Sequence, residues 1–379
     1  MKSYVLISAD FVTTGGMDRA NHALADYLAR QEHAVHLVTY RASEDLTAQA
    51  NVVLHRIPKV LGSYFLSEPL LRRGGLSWER RVARAGGRVV ANGGNCPCSD
   101  VNWVHYVHAA HQPVSRCGRL RHFKTQLAHH FALAAERLAF RRARLIVTNS
   151  EFTRRHVLEY FDVPEQRVRT VYYGVDPCKF HPLHLEKQVE AKERLGWPVH
   201  RPLATFIGAL GDRRKGFDTL FDAWRQLARS SDWDVDLIVI GVGAELALWQ
   251  QRTQEAGLAQ RIRFLGFRND VHALLPLCDV LVAPTRYEAY GLGVHEALCC
   301  GVPAIVSRSA GVAERYPPTL QDLLLHDPDD AAALAAQLRT WRERRDLYRD
   351  ATLALSHELR AYTWDDMSQR MVQMMEDDS

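Results

Sequence analysis

Residues 286–303 read Arg-Tyr-Glu-Ala-Tyr-Gly-Leu-Gly-Val-His-Glu-Ala-Leu-Cys-Cys-Gly-Val-Pro. The short apolar run Val280–Ala283 precedes this stretch, and a second run, Ala304–Val306, follows it. Between the two, Val294–Cys300 reads as a helix stopped by Gly301 and Pro303. Strand, loop, helix and strand form a βαβ unit, and repeated units of this kind build a parallel sheet covered by helices. The loop from Arg286 to Gly293 then falls at the carboxyl end of a strand, where such sheets bind their ligands. Two carboxylates, Glu288 and Glu296, stand eight positions apart and flank Gly291 and Gly293. Backbone N–H groups at a helix start, uncrowded by side chains, can hold a phosphate. At a rise of about 1.5 Å per residue the two glutamates can lie on the order of 10 Å apart, on either side of that anion site. The spacing suits a ligand whose hydroxyl-rich parts flank a diphosphate, because carboxylates accept hydrogen bonds from vicinal hydroxyls.

The same alternation extends in both directions from this segment. Towards the N-terminus, Leu203–Ile207, Leu237–Ile240 and Ile262–Leu265 read as strands, with a helical pattern at Phe217–Leu227. An earlier set comprises Tyr4–Ile7, Ala34–Thr39, Val52–Ile57, Val101–Val107, Leu145–Thr148 and Val168–Tyr172. Helical spacing recurs from Met17 to Leu28 and over Leu127–Phe140. Three prolines and a short charged helix in Asp176–Arg201 mark the boundary between the sets. The expectation is an α/β chain of two Rossmann-like, doubly wound domains facing across a cleft. Residues 1–178 would form the first, 179–200 a linker, 201–355 the second, and 356–379 a last helix returning to the first.

The chain has 379 residues, 47% hydrophobic and 24% charged, which excludes wholesale disorder and allows two cores. No apolar run reaches the roughly 18 residues that span a bilayer. The opening MKSYVLISAD stops its apolar stretch at Asp10 and resembles no signal peptide. Seven scattered cysteines, with Cys96-Pro97-Cys98 too close for a zinc knuckle, read as ordinary reduced thiols of a cytoplasmic protein. Charge is uneven: residues 1–180 carry a net +10 and residues 181–379 a net −6. Arg72–Arg88 and Arg116–Arg144 hold much of the basic excess, but no nucleic-acid module accompanies it. Asp234-Val-Asp236 imitates a metal-binding D-x-D, yet it precedes its strand and so lies at the wrong edge. Gly241-Val-Gly243 imitates a dinucleotide fingerprint, and Leu246 in place of the third glycine weighs against NAD.

Taken together, the blocks resemble the retaining glycosyltransferases of family 4, which have the GT-B fold. The loop Arg286–Pro303 is similar to the family's donor-site signature, and other blocks follow in the family's order. These are Gly15-Gly16, Thr148–Arg154, Tyr173–Asp176 with Phe180–Pro182, Ile207-Gly208 with Arg214–Gly216, Gly266–Asp270 and Tyr362–Trp364. Two departures stand out: Ala209 occupies the place of the usual arginine after Gly208, and Tyr173 that of the usual asparagine.

The resemblance implies transfer of a hexose-type sugar from a nucleoside-diphosphate sugar to an acceptor hydroxyl, in glycan or glycolipid synthesis. Glu288, His108 and Lys215 would be catalytic. Gly15, Gly16, Gly208, Arg213, Arg214, Phe267, Arg268, Tyr290, Gly291, Leu292, Gly293 and Glu296 would bind the donor. Lys215 follows the strand Leu203–Ile207, and a cation there can neutralise a leaving diphosphate. His108 lies just past Val101–Val107, with His105 and His111 as neighbouring competitors. No metal and no cofactor beyond the nucleotide sugar are expected. Expected partners are that donor, an acceptor glycan, glycolipid or small molecule, and an anionic membrane surface contacted peripherally from the inner face. No nucleic-acid partner is expected. A nucleotide-sugar epimerase of similar fold and a non-catalytic nucleotide-binding protein remain open alternatives.

Overall fold

The computed structural model describes residues 2–112 and 119–377. Arg116 and Cys117 lie outside the described residues. The chain divides into two compact units, residues 1–174 with 363–379, and residues 175–362.

The strands of the first unit are β1 (Ser3–Ile7), β2 (Asp10–Phe11), β3 (Ala34–Thr39), β4 (Arg41–Ala42), β5 (Val52–Arg56), β6 (Arg88–Asn92), β7 (Val101–Val104), β8 (Leu145–Thr148) and β9 (Val168–Thr170). Its helices are α1 (Gly16–Arg30), α2 (Glu44–Thr47), α3 (Tyr64–Ala83), α4 (Arg119–Arg142) and α5 (Glu151–Tyr160). Seven strands form one parallel sheet in the order β5-β3-β1-β6-β7-β8-β9, while β2 and β4 pair separately. Residues 4–7 are buried on both faces, as a central parallel strand requires. Ala20, Leu24 and Leu28 recur at a spacing of four and bury one stripe of α1. Strand β7 ends at Val104, three residues earlier than its apolar run implied, and His108–Ala110 form a single 3₁₀ turn. The His108 N–H points at the Glu136 carboxylate (3.1 Å) instead of a neighbouring strand.

In the second unit the strands are β10 (Leu203–Ile207), β11 (Asp236–Ile240), β12 (Ile262–Gly266), β13 (Val280–Ala283), β14 (Ala304–Ser307) and β15 (Leu324–Leu325). They form a parallel sheet in the order β12-β11-β10-β13-β14-β15. Its helices are α6 (Leu185–Arg194), α7 (Phe217–Leu227), α8 (Leu246–Glu255), α9 (Val271–Leu274), α10 (Leu292–Cys299), α11 (Ala331–Glu343) and α12 (Arg345–Arg360). One core runs through the unit, with Phe206, Trp224 and Trp341 among its largest side chains.

The domain limits differ from those read in the sequence. Residues 179–200 are not a linker. Phe180 and Trp197 are buried in the second unit's core, and Lys192 lies 3.7 Å from the Asp279 carboxylate. Residues 356–362 also belong to the second unit, because α12 continues to Arg360 and buries Leu355 and Leu359 there. The return to the first unit falls at Thr363. It opens α13 (Trp364–Glu376) with a capping box to Asp366. Met367, Met371 and Met375 give α13 its buried face, and Arg30 of α1 holds Asp365 at 2.5 Å. Gly174 must lack a side chain, since a Cβ there would meet the Thr363 carbonyl oxygen at 2.1 Å. Cys96 and Cys98 are buried, unbonded thiols with their sulfurs 3.3 Å apart.

Candidate functional site

The carboxyl ends of β10 and β13 are adjacent in the second sheet, so the loops that leave them share one region. From β10 the chain passes Gly208, makes a 3₁₀ turn over Arg213–Lys215, and enters α7 through Gly216 at φ +72°. Asp212 caps that turn by accepting a hydrogen bond from the Arg214 N–H at 3.0 Å. A Cβ on Gly216 would sit 1.8 Å from the Pro284 carbonyl oxygen, so glycine alone allows the two loops to approach this closely. From β13 the chain runs through Glu288 and Tyr290 to Gly291 at φ +105°, and α10 begins at Leu292. The helix therefore starts two residues before the sequence implied, because Gly291 takes the left-handed conformation of its N-cap. No side chain caps this helix start, and the space where Gly293 would carry a Cβ is open. Backbone amides at Leu292 and Gly293 are thus accessible to an anion.

Lys215 and Glu288 form an ion pair across the two loops, with the Arg214 guanidinium 3.9 Å from the same carboxylate oxygen. The Glu288 side chain is only 18% exposed and that of Lys215 24%. Burial pushes the Glu288 carboxyl up, but Lys215 and Arg214 outweigh it and hold the group below the usual glutamate range. The loop itself is fixed by strand-like pairing. Glu288 N–H donates to the Ser309 carbonyl (3.1 Å), Gly311 N–H donates to the Glu288 carbonyl (2.9 Å), and Val312 N–H to that of Tyr290 (2.7 Å). The Tyr290 hydroxyl lies 3.0 Å from Nδ1 of His295, and both residues are buried. Glu296, one position on, is buried on the same helix.

Arg213 does not join this group. It pairs with Asp218 at 2.7 Å, and Asp218 also receives Arg286 at 2.9 Å. Of the two arginines expected to bind the donor, Arg214 is therefore the one beside Glu288. Gly208 packs against the Phe206 ring and Lys215, and a Cβ on Gly241 would meet the Gly208 carbonyl at 2.0 Å. The glycines of Gly241-Val-Gly243 thus serve close backbone passage; Gly243 is similarly pressed against the Leu210 carbonyl. After β12, Phe267 stands 66% exposed, next to an Arg268–Asp270 ion pair at 2.5 Å. Asp234 and Asp236 lie at the opposite, amino end of β11. Arg342 and Arg261 hold them, each at 2.6 Å.

In the first unit, His108 Nδ1 lies 2.6 Å from a carboxylate oxygen of Glu136, a residue of α4 that is 1% exposed. That contact fixes the ring orientation and turns Nε2 outward on a side chain that is 40% exposed. His105 has a different environment. It is buried, its Nδ1 meets the Tyr173 hydroxyl at 2.5 Å, and burial lowers its pKa to about 3. It is a neutral core histidine. Tyr173 also accepts a hydrogen bond from the Asn149 side chain at 3.2 Å. The residue that replaces the usual asparagine therefore ties together two buried polar groups. Gly15 is the N-cap of α1 at φ +82°, with Gly16 as the helix's first residue. Sequence reading missed Glu136, Asp218 and Ser309. Glu136 and Ser309 lie more than 20 positions from His108 and Glu288, and Asp218, close to Arg213, is also gripped by Arg286 from the other loop.

Comparison with known proteins follows the same division. Residues 14–179 match the family model described as Glycosyltransferase Family 4, and residues 201–343 the one described as Glycosyl transferases group 1. An uncharacterized glycosyltransferase of Methanocaldococcus jannaschii is 25% identical over 274 residues, covering 70% of this chain and 68% of that protein. Two further curated relatives are matched over 52% and 67% of their length. Sucrose-phosphate synthase from Thermosynechococcus elongatus superimposes with a TM-score of 0.80 at 19% identity, covering 100% of this chain and 99% of that one. The Anabaena protein Alr3699/HepE, solved with UDP and glucose, has a TM-score of 0.72 at 19% identity, with 99% of each chain covered. The fold of the two α/β units is the GT-B fold.

Proposed function

Because the chain belongs to the GT-B glycosyltransferases of family 4 and group 1, we propose that it moves a hexose-type sugar from a nucleoside-diphosphate sugar to an acceptor hydroxyl, with retention at the anomeric carbon. The observation that carries the reading is the Lys215–Arg214–Glu288 group beside the uncapped start of α10. Lys215, Arg214 and the amides of Leu292 and Gly293 receive the charge that develops on the departing diphosphate. With those cations in place the reaction needs no divalent metal. Glu288 accepts hydrogen bonds from the sugar hydroxyls, and Glu296 from the ribose. Phe267 and Arg268 border the base. The bond from the anomeric carbon to phosphate oxygen breaks as the bond to the acceptor oxygen forms on the same face. The acceptor proton passes to the leaving phosphate oxygen, so no covalent sugar–protein intermediate forms. His108, whose ring Glu136 orients, is the first unit's candidate catalytic residue. That a relative of the same fold is solved with UDP supports a uridine nucleotide as the first donor to try.

The acceptor side is read from the first unit. Arg72, Arg73, Arg80 and Arg81 line α3 and Arg84 follows it, with no ion pair to any of the five among the described residues. On the same stretch Leu61 is 90% exposed, and Tyr64, Phe65, Leu66 and Leu70 are exposed too. Phe65 meets the exposed Phe131 of α4 edge-on at 5.8 Å. Exposed apolar side chains followed along the chain by arginines fit the headgroup region of an anionic bilayer, which supports peripheral contact from the cytoplasmic side and a glycolipid-type acceptor. No helix among the described residues is long and apolar enough to cross a membrane.

The test is ligand stabilisation followed by turnover. UDP at about 100 times its Kd should stabilise the chain by about 2.7 kcal/mol. Lys215→Ala should lose most of that gain. Incubation with UDP-sugars and an acceptor should release free UDP. An unchanged Tm with every nucleoside diphosphate would remove the donor site from the second unit.

A further inference from the structure

At the amino ends of β13 and β14, the far end of these strands from Glu288, the second unit encloses a cavity of about 300 Å³. That is the lower end of the range for small-molecule sites. Its floor is apolar, formed by Cys278, Cys300 and Val302. One wall is α12, which contributes Arg345, Arg349 and Leu353. These positions are four apart, so they share one helix face. The start of α6 closes another side with His184 and Gln188.

The charges in this cavity do not balance. Its one carboxylate, Asp279, already accepts the Leu203 N–H at 2.8 Å, and it pairs with Arg345 at 2.8 Å and with Lys192 at 3.7 Å. Arg349 has no hydrogen bond or ion pair among the described residues. A half-buried guanidinium with a planar donor fork, placed over an apolar floor, selects an oxyanion that it can grip with two N–H groups. Arg345, one turn earlier, adds a second cation to the same wall.

We infer that this cavity binds a small phosphate monoester with an apolar body, gripped by Arg349 and Arg345 and seated on Cys300 and Val302. The site is separate from the loops that hold Lys215 and Glu288, and it stands whether or not those loops bind a nucleotide sugar. Phenyl phosphate is the probe, titrated by calorimetry into the full chain in phosphate-free buffer, with inorganic phosphate as the body-less comparison. Three chains are compared: unmodified, Arg349→Ala and Lys215→Ala. Arg349→Ala removes no partner from any other residue, so its folding should match the unmodified chain. Phenyl phosphate should bind the unmodified chain more tightly than inorganic phosphate does. Arg349→Ala should weaken it at least about tenfold, the loss of one charge-assisted contact. Lys215→Ala should bind it as the unmodified chain does. The inference is overturned by no heat of binding at millimolar probe, by unchanged affinity in Arg349→Ala, or by a loss confined to Lys215→Ala, which would place the probe in the donor loops.

Discussion

His295 makes the second unit sensitive to acid at the start of α10, and the effect can be sized. The ring is 2% exposed on α10, its Nδ1 faces the Tyr290 hydroxyl at 3.0 Å, and its Nε2 is buried with no partner. Burial, helped by Arg315, pushes its pKa down from 6.5 to about 3. The folded state therefore keeps the ring neutral in a range where the unfolded chain binds a proton. This contribution to stability is complete above the unfolded pKa and is lost progressively as pH falls from 6.5 towards 3. Between about pH 7.5 and about pH 5 the loss amounts to roughly 2 kcal/mol, at about 1.4 kcal/mol per pH unit once the unfolded histidine is protonated. For a domain of the second unit's size that corresponds to a fall in Tm of about 4–8 °C. The assay is scanning calorimetry of the unmodified chain and of His295→Gln at the two pH values. Gln keeps an acceptor for Tyr290 but cannot take up the proton, so the pH-dependent fall in the second unit's Tm should shrink by about 4–8 °C. The variant's absolute Tm is not the readout, only its change with pH. Equal falls in both chains, within about a degree, would refute a neutral buried histidine at this position.

Three further outcomes follow from the same geometry. Glu296→Gln should raise KM for the donor, whereas Glu288→Gln should lower kcat more than it weakens nucleotide binding, since interactions that grow in the transition state register in kcat; steady-state kinetics with both variants at wild-type values would end the assignment. Transfer activity should survive EDTA, because Lys215 and Arg214 stand together at the loops proposed to hold the phosphates, and complete loss restored by Mg²⁺ or Mn²⁺ would show that they do not suffice. Co-sedimentation with anionic vesicles should be salt-sensitive and should drop sharply when Arg72, Arg73, Arg80, Arg81 and Arg84 are changed to Ser, at about 1 kcal/mol per arginine; equal recovery with neutral and anionic lipid would leave a soluble acceptor.

What could be read from sequence was what is local. The strand at Val280–Ala283, the glycine turn and the helix before Gly301 lie within about two dozen positions, and the backbone preferences of glycine and proline mark their borders. The loop was therefore legible down to Glu288, Gly291 and Gly293. The alternation of strands and helices gave the two parallel sheets for the same reason. Pairings between distant segments left no such trace. Lys215 and Glu288 meet because β10 and β13 are neighbours, a fact of sheet order that neither segment states. His108 is oriented by Glu136 from a helix in a separate block, and Asp218, which holds Arg213, is reached by Arg286 from 68 positions away. The linker was misjudged because prolines mark breaks in secondary structure, whereas membership of a domain depends on burial. Phe180 and Trp197 settle it by packing into the second core.

The ionisation of Glu288 constrains the chemistry that can occur beside it. A carboxylate held below its usual range by Lys215 and Arg214 is deprotonated at neutral pH. It can accept hydrogen bonds and cannot donate them, so it is unfit to protonate a leaving group. The leaving group has no need of a proton if Lys215, Arg214 and the first amides of α10 take its charge. The proton of the incoming hydroxyl must then find another base, and on the proposed reading that base would be the diphosphate oxygen, which becomes basic as its bond to the sugar breaks. The protein would then, on the same proposal, supply position and fixed charge without becoming a covalent participant. The Lys215–Glu288 pair is then more than a structural ion pair. On the proposed reading the lysine would serve the phosphate and the carboxylate the sugar, while Lys215 and Arg214 hold Glu288 ionised in a pair whose side chains are three-quarters or more buried.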